Sequence, residues 1–315
     1  MKATSLDYQS MNTCVSRSQL DSLFSSYSTT QIEPHIHRVE TPDETYVYKE
    51  SDWDDTSVAA EPFVIEHLRQ ETTIPLPQIY HKQPDADPPW FVMEYLDGDQ
   101  PRHAHELPIE YVVEYAEKLG QFVAEMHELT LSDVGQLIHV DGGFKPLGAT
   151  SQSQADYKRE FRLQLDEFRV QANNNQFDIR ESFYELPVPT PSKLTYCPID
   201  FHTQNLLVDG TDVTGVVDFE RLYAGHPRWG FEQTLYMLTV TRRGDESEWI
   251  TDRFSKGYSD VRPIPEYHPV FELASILREM RAIRVWWEHP EEHRPRLEEQ
   301  FDTVWNQLQS SRDSG

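Results

Sequence analysis

Three polar residues in the middle of the chain have the types and the spacing of a metal-dependent phosphate site. Asp200 and Asn205 stand five residues apart, and Asp218 follows thirteen residues later. Carboxylate and amide oxygens suit Mg²⁺, a hard cation that usually keeps several waters and a substrate phosphate among its ligands. If the fold gathers these side chains, they could bind a phosphate group through a metal ion.

The segment around these residues predicts a β-hairpin. Two apolar runs, 206–208 and 213–217, are joined by Asp-Gly-Thr-Asp at 209–212, which is typical of two strands with an Asp-Gly turn. The first two polar residues lie in the loop before the first strand, and the third follows the second strand. The hairpin would therefore hold all three at one end. The alternative is a purely structural hairpin whose loops contain Asp and Asn because these residues favour turns.

The charge of the chain excludes two classes of partner. Its 315 residues include 28 Lys plus Arg and 54 Asp plus Glu, which gives a formal net charge of −26. Such a charge repels nucleic acid and anionic membranes, so we expect neither as a partner. The acidic excess is spread along the chain, which is typical of a halophile's cytosolic protein rather than of a pocket for cationic drugs.

Cysteine content and hydropathy favour a cytoplasmic location. Cys14 and Cys197 are the two cysteines, too few for a disulfide framework, and the first residues contain no apolar core of signal-peptide length. No apolar run approaches the roughly 18 residues of a membrane-spanning helix. The sequence does not indicate an oligomeric state.

The central segment resembles the aminoglycoside and choline phosphotransferases, a family with a protein-kinase-like fold. Residues 200–210 read D-F-H-T-Q-N-L-L-V-D-G and residues 216–220 read V-V-D-F-E, whereas the family typically reads H-G-D-x-H-x-x-N-x-L in the first segment. The resemblance implies that Asp200 is the catalytic base that orients the acceptor hydroxyl. It also implies that Asn205 and Asp218 are the metal ligands.

The sequence departs from this family at three places. Pro198 replaces the family's His two residues before the catalytic Asp, Gly230 replaces a later Asp that ties a helix to the catalytic loop, and no glycine occurs between Phe24 and Val47. A loop without glycine cannot bring its amides as close to phosphates. Hydroxyl side chains are candidates to cover the phosphates instead: Ser26, Ser28, Thr29 and Thr30.

A lysine and a glutamate in the N-terminal region resemble the family's phosphate-positioning pair. Lys49 ends an alternating, strand-like run, and residues 60–68 read A-E-P-F-V-I-E-H-L, which is similar to the family's R-E-x-x-x-L-x-x-L helix. The resemblance implies that Lys49 contacts the nucleotide phosphates and that Glu61 pairs with it, with Glu66 as the second choice. Pro62 suggests that Glu61 lies near the start of the helix. Considered without the helix motif at 60–68, Lys49 would equally well be a solvated lysine at the end of a strand.

Residues 90–98, W-F-V-M-E-Y-L-D-G, resemble the family's last N-terminal strand and its hinge. The resemblance implies that backbone groups of Glu94 and Tyr95 pair with the adenine edge of ATP. We expect the hinge near 93–98, because the composition becomes helical beyond it. The two expected lobes are a nucleotide-binding lobe, 1–97, and a lobe for catalysis and acceptor binding, 98–315.

The resemblance implies an α+β fold with two lobes, a small β-rich N-terminal lobe and a larger, mainly helical C-terminal lobe. The expected activity is O-phosphorylation of a small hydroxylated molecule by an enzyme that uses ATP and Mg²⁺. The alternative is a degenerate relative that binds nucleotide or ligand without turnover. Residues 289–293, H-P-E-E-H, also match a zinc-peptidase motif, but their proline and charged flank favour a solvated helix end.

Overall fold

The computed structural model describes residues 17–51, 56–146, 154–287 and 289–313, so Cys14 lies outside the described residues. The N-terminal part contains one antiparallel sheet of five strands with a helix against each face. Its elements in chain order are α1 (Arg17–Leu23), β1 (Ser28–Glu33), β2 (Ile36–Glu40), β3 (Thr45–Glu50), α2 (Thr56–Glu71), β4 (Ile79–Gln83) and β5 (Trp90–Glu94). Their spatial order is β1-β2-β3-β5-β4.

Alternation along β3 explains why this sheet is covered on both faces. Successive side chains of a strand point to opposite faces, and Tyr48 packs with Leu20 of α1 while Val47 packs with Val58 of α2. Lys49 shares the face of Val47 because it stands two residues further along. The strand pattern therefore directs Lys49 toward α2.

The C-terminal part is mainly helical. Its elements are α3 (Ile109–Glu128), β6 (Thr130–Leu131), β7 (Gly135–Val140), β8 (Gly143–Pro146), α4 (Gln154–Asn174), β9 (Leu194–Pro198), β10 (Leu206–Asp209), β11 (Asp212–Val216), β12 (Leu222–Gly225), α5 (Pro227–Thr239), α6 (Asp245–Ser259), α7 (Pro269–Trp286) and α8 (Pro290–Asp313). The strands β10 and β11 form the predicted hairpin, and the others form a second sheet in the order β6-β9-β12-β7-β8.

Two cores hold this part together. One core joins α3, α5 and α6 to the hairpin, and α2 also packs into it. Its buried members include Ile65, Leu119, Leu206, Phe231 and Phe254. The other core joins α4, α7 and α8, with Phe161, Trp229, Phe271, Leu277 and Leu297 among its buried members. The segment that leads to Asp200 lies between these cores, because β9 contributes Tyr196 to the first and Cys197 to the second.

One sequence-based expectation in the N-terminal part is wrong, and one strand was not predicted. Pro62 lies inside α2, so Glu61 is not near the helix start. The segment before residue 36 forms an additional strand, β1, whose side chains are exposed along its whole length. The alternation of buried and exposed positions that normally reveals a strand is therefore missing from β1.

Within the described residues, no helix combines the length and the apolar character needed to span a bilayer.

The close crossing of α3 and α6 gives a test of the packing. A Cβ atom added to Gly257 would overlap the carbonyl oxygen of Glu117, and one added to Gly120 would overlap that of Phe254. We expect Gly257→Ala to lower the free energy of unfolding by roughly 1–3 kcal/mol, the usual cost of overpacking, measured by chemical denaturation. The control is Gly143→Ala, since nothing lies within 4 Å of its added Cβ. Equal stability of the two variants would contradict the tight crossing.

Candidate active site

Lys49 is surrounded by three carboxylates. Its Nζ atom lies 2.9 Å from Glu61 Oε2, 3.1 Å from Asp218 Oδ1 and 3.2 Å from Glu220 Oε2. Burial alone would lower the pKa of the ammonium group, but the nearby carboxylates outweigh it and raise that pKa well above its ordinary value. Lys49 is therefore charged, and the site around it has an excess of negative charge that a divalent cation would compensate.

Glu61 connects α2 to both Lys49 and the segment after the hairpin. Its second carboxylate oxygen, Oε1, accepts a hydrogen bond of 3.0 Å from the backbone N–H of Phe219. Burial raises the pKa of the Glu61 carboxyl, and the charge of Lys49 opposes that shift. Glu66, the second choice for this pairing, forms an ion pair with Lys82 instead.

Asn205 and Asp218 lie side by side, as the hairpin predicts. Asn205 ends a short 3₁₀ turn (Thr203–Asn205), and its Nδ2 is 3.5 Å from the backbone oxygen of Asp218. Asp218 has a φ of 67°, a left-handed conformation that costs energy in most residues and that Asp tolerates better. Asp218 stands two residues after the end of β11.

The side-chain oxygen of Asn205 provides a test of whether the site fits a metal. It is buried and has no hydrogen-bond partner, a state that costs roughly 1–3 kcal/mol unless something binds it. An Mg²⁺ ion held by this oxygen and the Asp218 carboxylate would remove that cost, and nucleotide phosphates and water would supply the other ligands. No group of three or more His, Cys, Asp or Glu residues in the described part of the chain could hold a metal ion.

Asp200 is held by an arginine that the sequence analysis did not identify. Its Oδ1 accepts a hydrogen bond of 2.7 Å from Arg278 Nη2, and its Oδ2 lies 3.8 Å from Arg221 Nη1. Burial would raise the pKa of the Asp200 carboxyl, but the charges of Arg278, His202 and Arg221 outweigh it, and the pKa is lowered. Asp200 is therefore ionised, with Oδ2 less engaged than Oδ1.

The predicted adenine-binding positions lie at the end of β5. Glu94 pairs with Tyr46 of β3, its N–H donates to Gln78 O at 2.8 Å, and its carboxylate accepts from Gln78 N–H. The ring of Tyr95 lies under the guanidinium of Arg38, with 4.7 Å between the carbon and the ring centroid. The contact of Glu94 and Tyr95 with adenine stays a prediction.

Three of the hydroxyl residues expected to cover the phosphates lie far from Lys49. Ser28, Thr29 and Thr30 are on β1, paired with the far end of β2, whereas Ile36 at the near end pairs with Lys49. The turn at the near end contains His35, whose φ is 63°. Its carbonyl accepts a hydrogen bond from the N–H of Glu50. His35 thus occupies a backbone conformation that usually favours glycine.

Residues 37–263 match a described family, the phosphotransferase enzyme family. The chain belongs to this family. The matched region includes Lys49, Glu61, Asp200, Asn205 and Asp218.

Solved structures show the kinase-like fold of aminoglycoside phosphotransferases for this family member. A Ralstonia eutropha JMP134 protein, provisionally assigned as an aminoglycoside phosphotransferase, is 15% identical over 90% of this chain and 92% of its own, with a TM-score of 0.59. Aminoglycoside-3'-phosphotransferase of type VIII is 14% identical over 84% and 98%, with a TM-score of 0.53. A thermostable mutant of APH(4)-Ia, in a ternary complex with ADP and hygromycin B, is 11% identical over 91% and 96%, with a TM-score of 0.55. Comparison with curated protein sequences found no match.

Two departures from the family's motifs in this phosphotransferase, Pro198 and Gly230, are in contact. A Cβ atom on Gly230 would lie 2.7 Å from His127 Nε2 and 3.2 Å from Pro198 Cδ, so an aspartate at 230 does not fit without a shift. His127 is buried, with its Nδ1 atom 2.8 Å from the hydroxyl of Tyr258. Burial lowers the pKa of His127 well below its ordinary value, so this packed group is uncharged.

Other contacts brace the loop of this phosphotransferase. Thr203 Oγ1 donates to the carbonyl of Arg102 at 2.7 Å, and Gln100 Nε2 donates to the carbonyl of Gln204 at 2.6 Å. The backbones of Asp99 and Val208 exchange two hydrogen bonds of 2.8 and 2.9 Å. The segment after β5 therefore fixes the loop that carries Asp200.

A row of aromatic rings extends from the Asp200 side of the site. The distances between ring centroids are 6.2 Å for His202 and His103, 5.5 Å for His103 and His105, 4.9 Å for His105 and Trp287, and 3.8 Å for Trp287 and His293. Burial is the main cause that lowers the pKa of His202, His105 and His293. His293 thus stacks on a tryptophan, which disfavours the zinc-motif interpretation.

The ion pair between Arg278 and Asp200 gives a second prediction. Arg278 has no exposed side-chain surface, so Arg278→Gln would leave a largely buried carboxylate without its closest cation. We expect a loss of about 3 kcal/mol in the free energy of unfolding, the low end for breaking a buried pair, since Asp200 keeps some exposure. Urea denaturation measures this loss.

The double variant Arg278→Gln with Asp200→Asn is the control, because it removes the unpaired charge as well. It should recover part of the stability lost in the single variant. Strict additivity of the two substitutions would contradict a direct interaction.

Proposed function

We propose that this phosphotransferase transfers the γ-phosphoryl group of ATP to the hydroxyl group of a small molecule, with Mg²⁺ as the cofactor. The observation that carries the proposal is the arrangement at the end of the hairpin. There Asn205 and Asp218 lie together, Asp218 contacts Lys49, and Lys49 is paired with Glu61.

Asp200 is the proposed catalytic base. The acceptor oxygen attacks the γ-phosphorus, the bond to the β–γ bridging oxygen breaks, ADP leaves, and the hydroxyl proton passes to Asp200. Oδ2 is the better placed oxygen, because Oδ1 accepts the hydrogen bond from Arg278. The lowered pKa of Asp200 suits a base that orients the hydroxyl first and accepts its proton late in a loose transition state.

Lys49 and the metal ligands stabilise the phosphates in this proposal. Lys49 would contact the nucleotide phosphates, with Glu61 fixing its position, and Asn205 and Asp218 would hold Mg²⁺. The bound metal would neutralise charge that develops on the transferred group. The presence of ADP in the APH(4)-Ia complex supports nucleotide use by this fold.

The arrangement of the lobes and the habitat are also part of the proposal. We place the hinge near 93–98 and the lobe boundary at about 97, next to Asp99, whose backbone is paired with the hairpin. Backbone groups of Glu94 and Tyr95 would contact adenine. The net charge of −26 supports a cytoplasmic protein adapted to concentrated salt.

A degenerate nucleotide-binding protein is the second candidate. It is favoured by Pro198 and Gly230, which remove two braces found in relatives. The hydrogen bonds from Gln100 and Thr203 argue against it, because they restrain the same loop from another direction.

Asp200→Asn separates the two candidates. For an enzyme, we expect the rate of ADP formation with a suitable acceptor to fall by about 10²–10⁴-fold, the usual contribution of a general base, while AMP-PNP affinity is retained. Asp209→Asn is the matched control, because Asp209 is exposed at the end of β10. Turnover in Asp200→Asn equal to that of wild type would contradict the proposed role.

Asp218→Asn tests the metal site. A ligand that binds only the folded state adds about 2.7 kcal/mol at one hundred times its Kd, so ATP with Mg²⁺ should raise the melting temperature of the wild type. The Mg²⁺-dependent part of this rise should disappear in Asp218→Asn and persist in Asp209→Asn. An absence of any shift in folded wild-type protein at millimolar ATP would overturn the phosphotransferase proposal.

A further inference from the structure

Arg221 and Arg278 both approach Asp200, and Arg281 stands three residues after Arg278 on the same face of α7. We name these three guanidinium groups the guanidinium cluster. Arg278 donates to Asp200, and Arg221 lies 3.8 Å from the same carboxylate. Burial, followed by the charges of Arg278 and Arg221, lowers the pKa of Arg281 to about 10. Arg278 and Arg221 are thus close enough to Arg281 to disfavour its charge.

The partners of Arg281 do not neutralise it. Its Nη1 donates to the neutral Gln171 Oε1 at 3.1 Å, and its guanidinium carbon lies 4.9 Å from the ring centroid of Phe168. Its Nε is buried without a hydrogen-bond partner. Arg281 is half-buried, and a cation that rests on an amide and a phenyl ring is incompletely compensated, since charges withdrawn from water normally require a partner of opposite charge.

Arg221 is also weakly compensated, and it is accessible. Its nearest carboxylates are at ion-pair distances of 3.6 Å for Glu220 and 3.8 Å for Asp200, and 47% of its side chain is exposed. Glu220 is shared with Lys49 at 3.2 Å. Asp200 is engaged by Arg278, so neither carboxylate belongs to Arg221 alone.

The cluster is unusual in a chain with a net charge of −26. Asp200 and Glu167 are the nearby acidic side chains that raise the pKa of Arg281, and their effect is smaller than the lowering by burial and by the two other arginines. An oxyanion placed between Arg221 and Arg281 would supply the missing negative charge. A polycationic acceptor would be repelled from the same position.

We infer that the acceptor carries a carboxylate or phosphate group, which Arg221 and Arg281 bind while its hydroxyl is presented to Asp200. This inference rests on the proposed function for the hydroxyl transfer, but the anion site itself does not. The row of rings beginning at His202 would provide a flat face for the carbon skeleton of the acceptor.

The first experiment measures the anion site without knowledge of the acceptor. Inorganic phosphate is titrated calorimetrically into the protein saturated with AMP-PNP and Mg²⁺, and also into the nucleotide-free protein. We expect Arg281→Gln and Arg221→Gln each to weaken phosphate binding by about tenfold or more, since each removes a charge-assisted hydrogen bond. The control is Arg180→Gln, because Arg180 is 82% exposed and pairs with Asp178.

The second experiment compares acceptors that share a hexose skeleton and differ in charge: gluconate, glucose 6-phosphate, glucose and glucosamine. We expect greater stabilisation of the AMP-PNP complex, and a higher kcat/KM with ATP where turnover occurs, for the two anionic compounds than for glucose and glucosamine. The difference between gluconate and glucose 6-phosphate separates a carboxylate from a phosphate. Arg281→Gln should raise KM for the anionic compounds with little change in kcat.

Three outcomes would overturn the inference: unchanged phosphate affinity in both arginine variants, a preference for glucosamine, or an equal loss of AMP-PNP affinity, which would assign the cluster to the nucleotide. Failure of the proposed function is distinguishable from these. In that case AMP-PNP would not bind the wild type, while phosphate would still bind the nucleotide-free protein and be lost in Arg281→Gln.

Discussion

The buried ammonium of Lys49 is the constraint on which the geometry of the site depends. A charge removed from water is tolerated only with close partners, and its partners come from α2 and from the segment that follows β11. The N-terminal sheet, α2 and the hairpin must therefore keep a fixed relation for Lys49 to remain paired. Glu61 strengthens this relation because it also accepts the N–H of Phe219. One ion cluster thus joins the parts of the chain on which the two expected lobes are built.

The charges of the site are separated into two regions. Carboxylates dominate around Lys49 and Asn205, where a metal and phosphates would add compensating charges, and guanidinium groups dominate beyond Asp200. At 1 M salt the Debye length is about 3 Å, so interactions between exposed charges that are farther apart than this are largely screened. Buried pairs are screened much less. The contrast between the two regions should therefore survive in concentrated salt, in which exposed surface pairs contribute little.

Sequence patterns were sufficient to predict the elements whose structure depends on residues that are close together in the chain. The hairpin followed from β-branched runs and an Asp-Gly turn, and β3 from its alternation. Strand β1 escaped detection because both of its faces are exposed. Arg278 contacts Asp200 across 78 residues, and its sequence neighbourhood does not distinguish it from Arg281 and Arg284 of the same helix. The row from His202 to His293 is assembled from separate segments, so only the tertiary structure brings its rings together.

The contact among His127, Pro198 and Gly230 makes these positions interdependent. An aspartate introduced at 230 alone would collide with the imidazole, whereas a smaller residue at 127 alone would leave a cavity beside the glycine. The effect of a substitution at 230 therefore depends on the residue at 127, which is epistasis with a steric origin. A motif compared one position at a time would count two losses here, although the three residues form a single packed group.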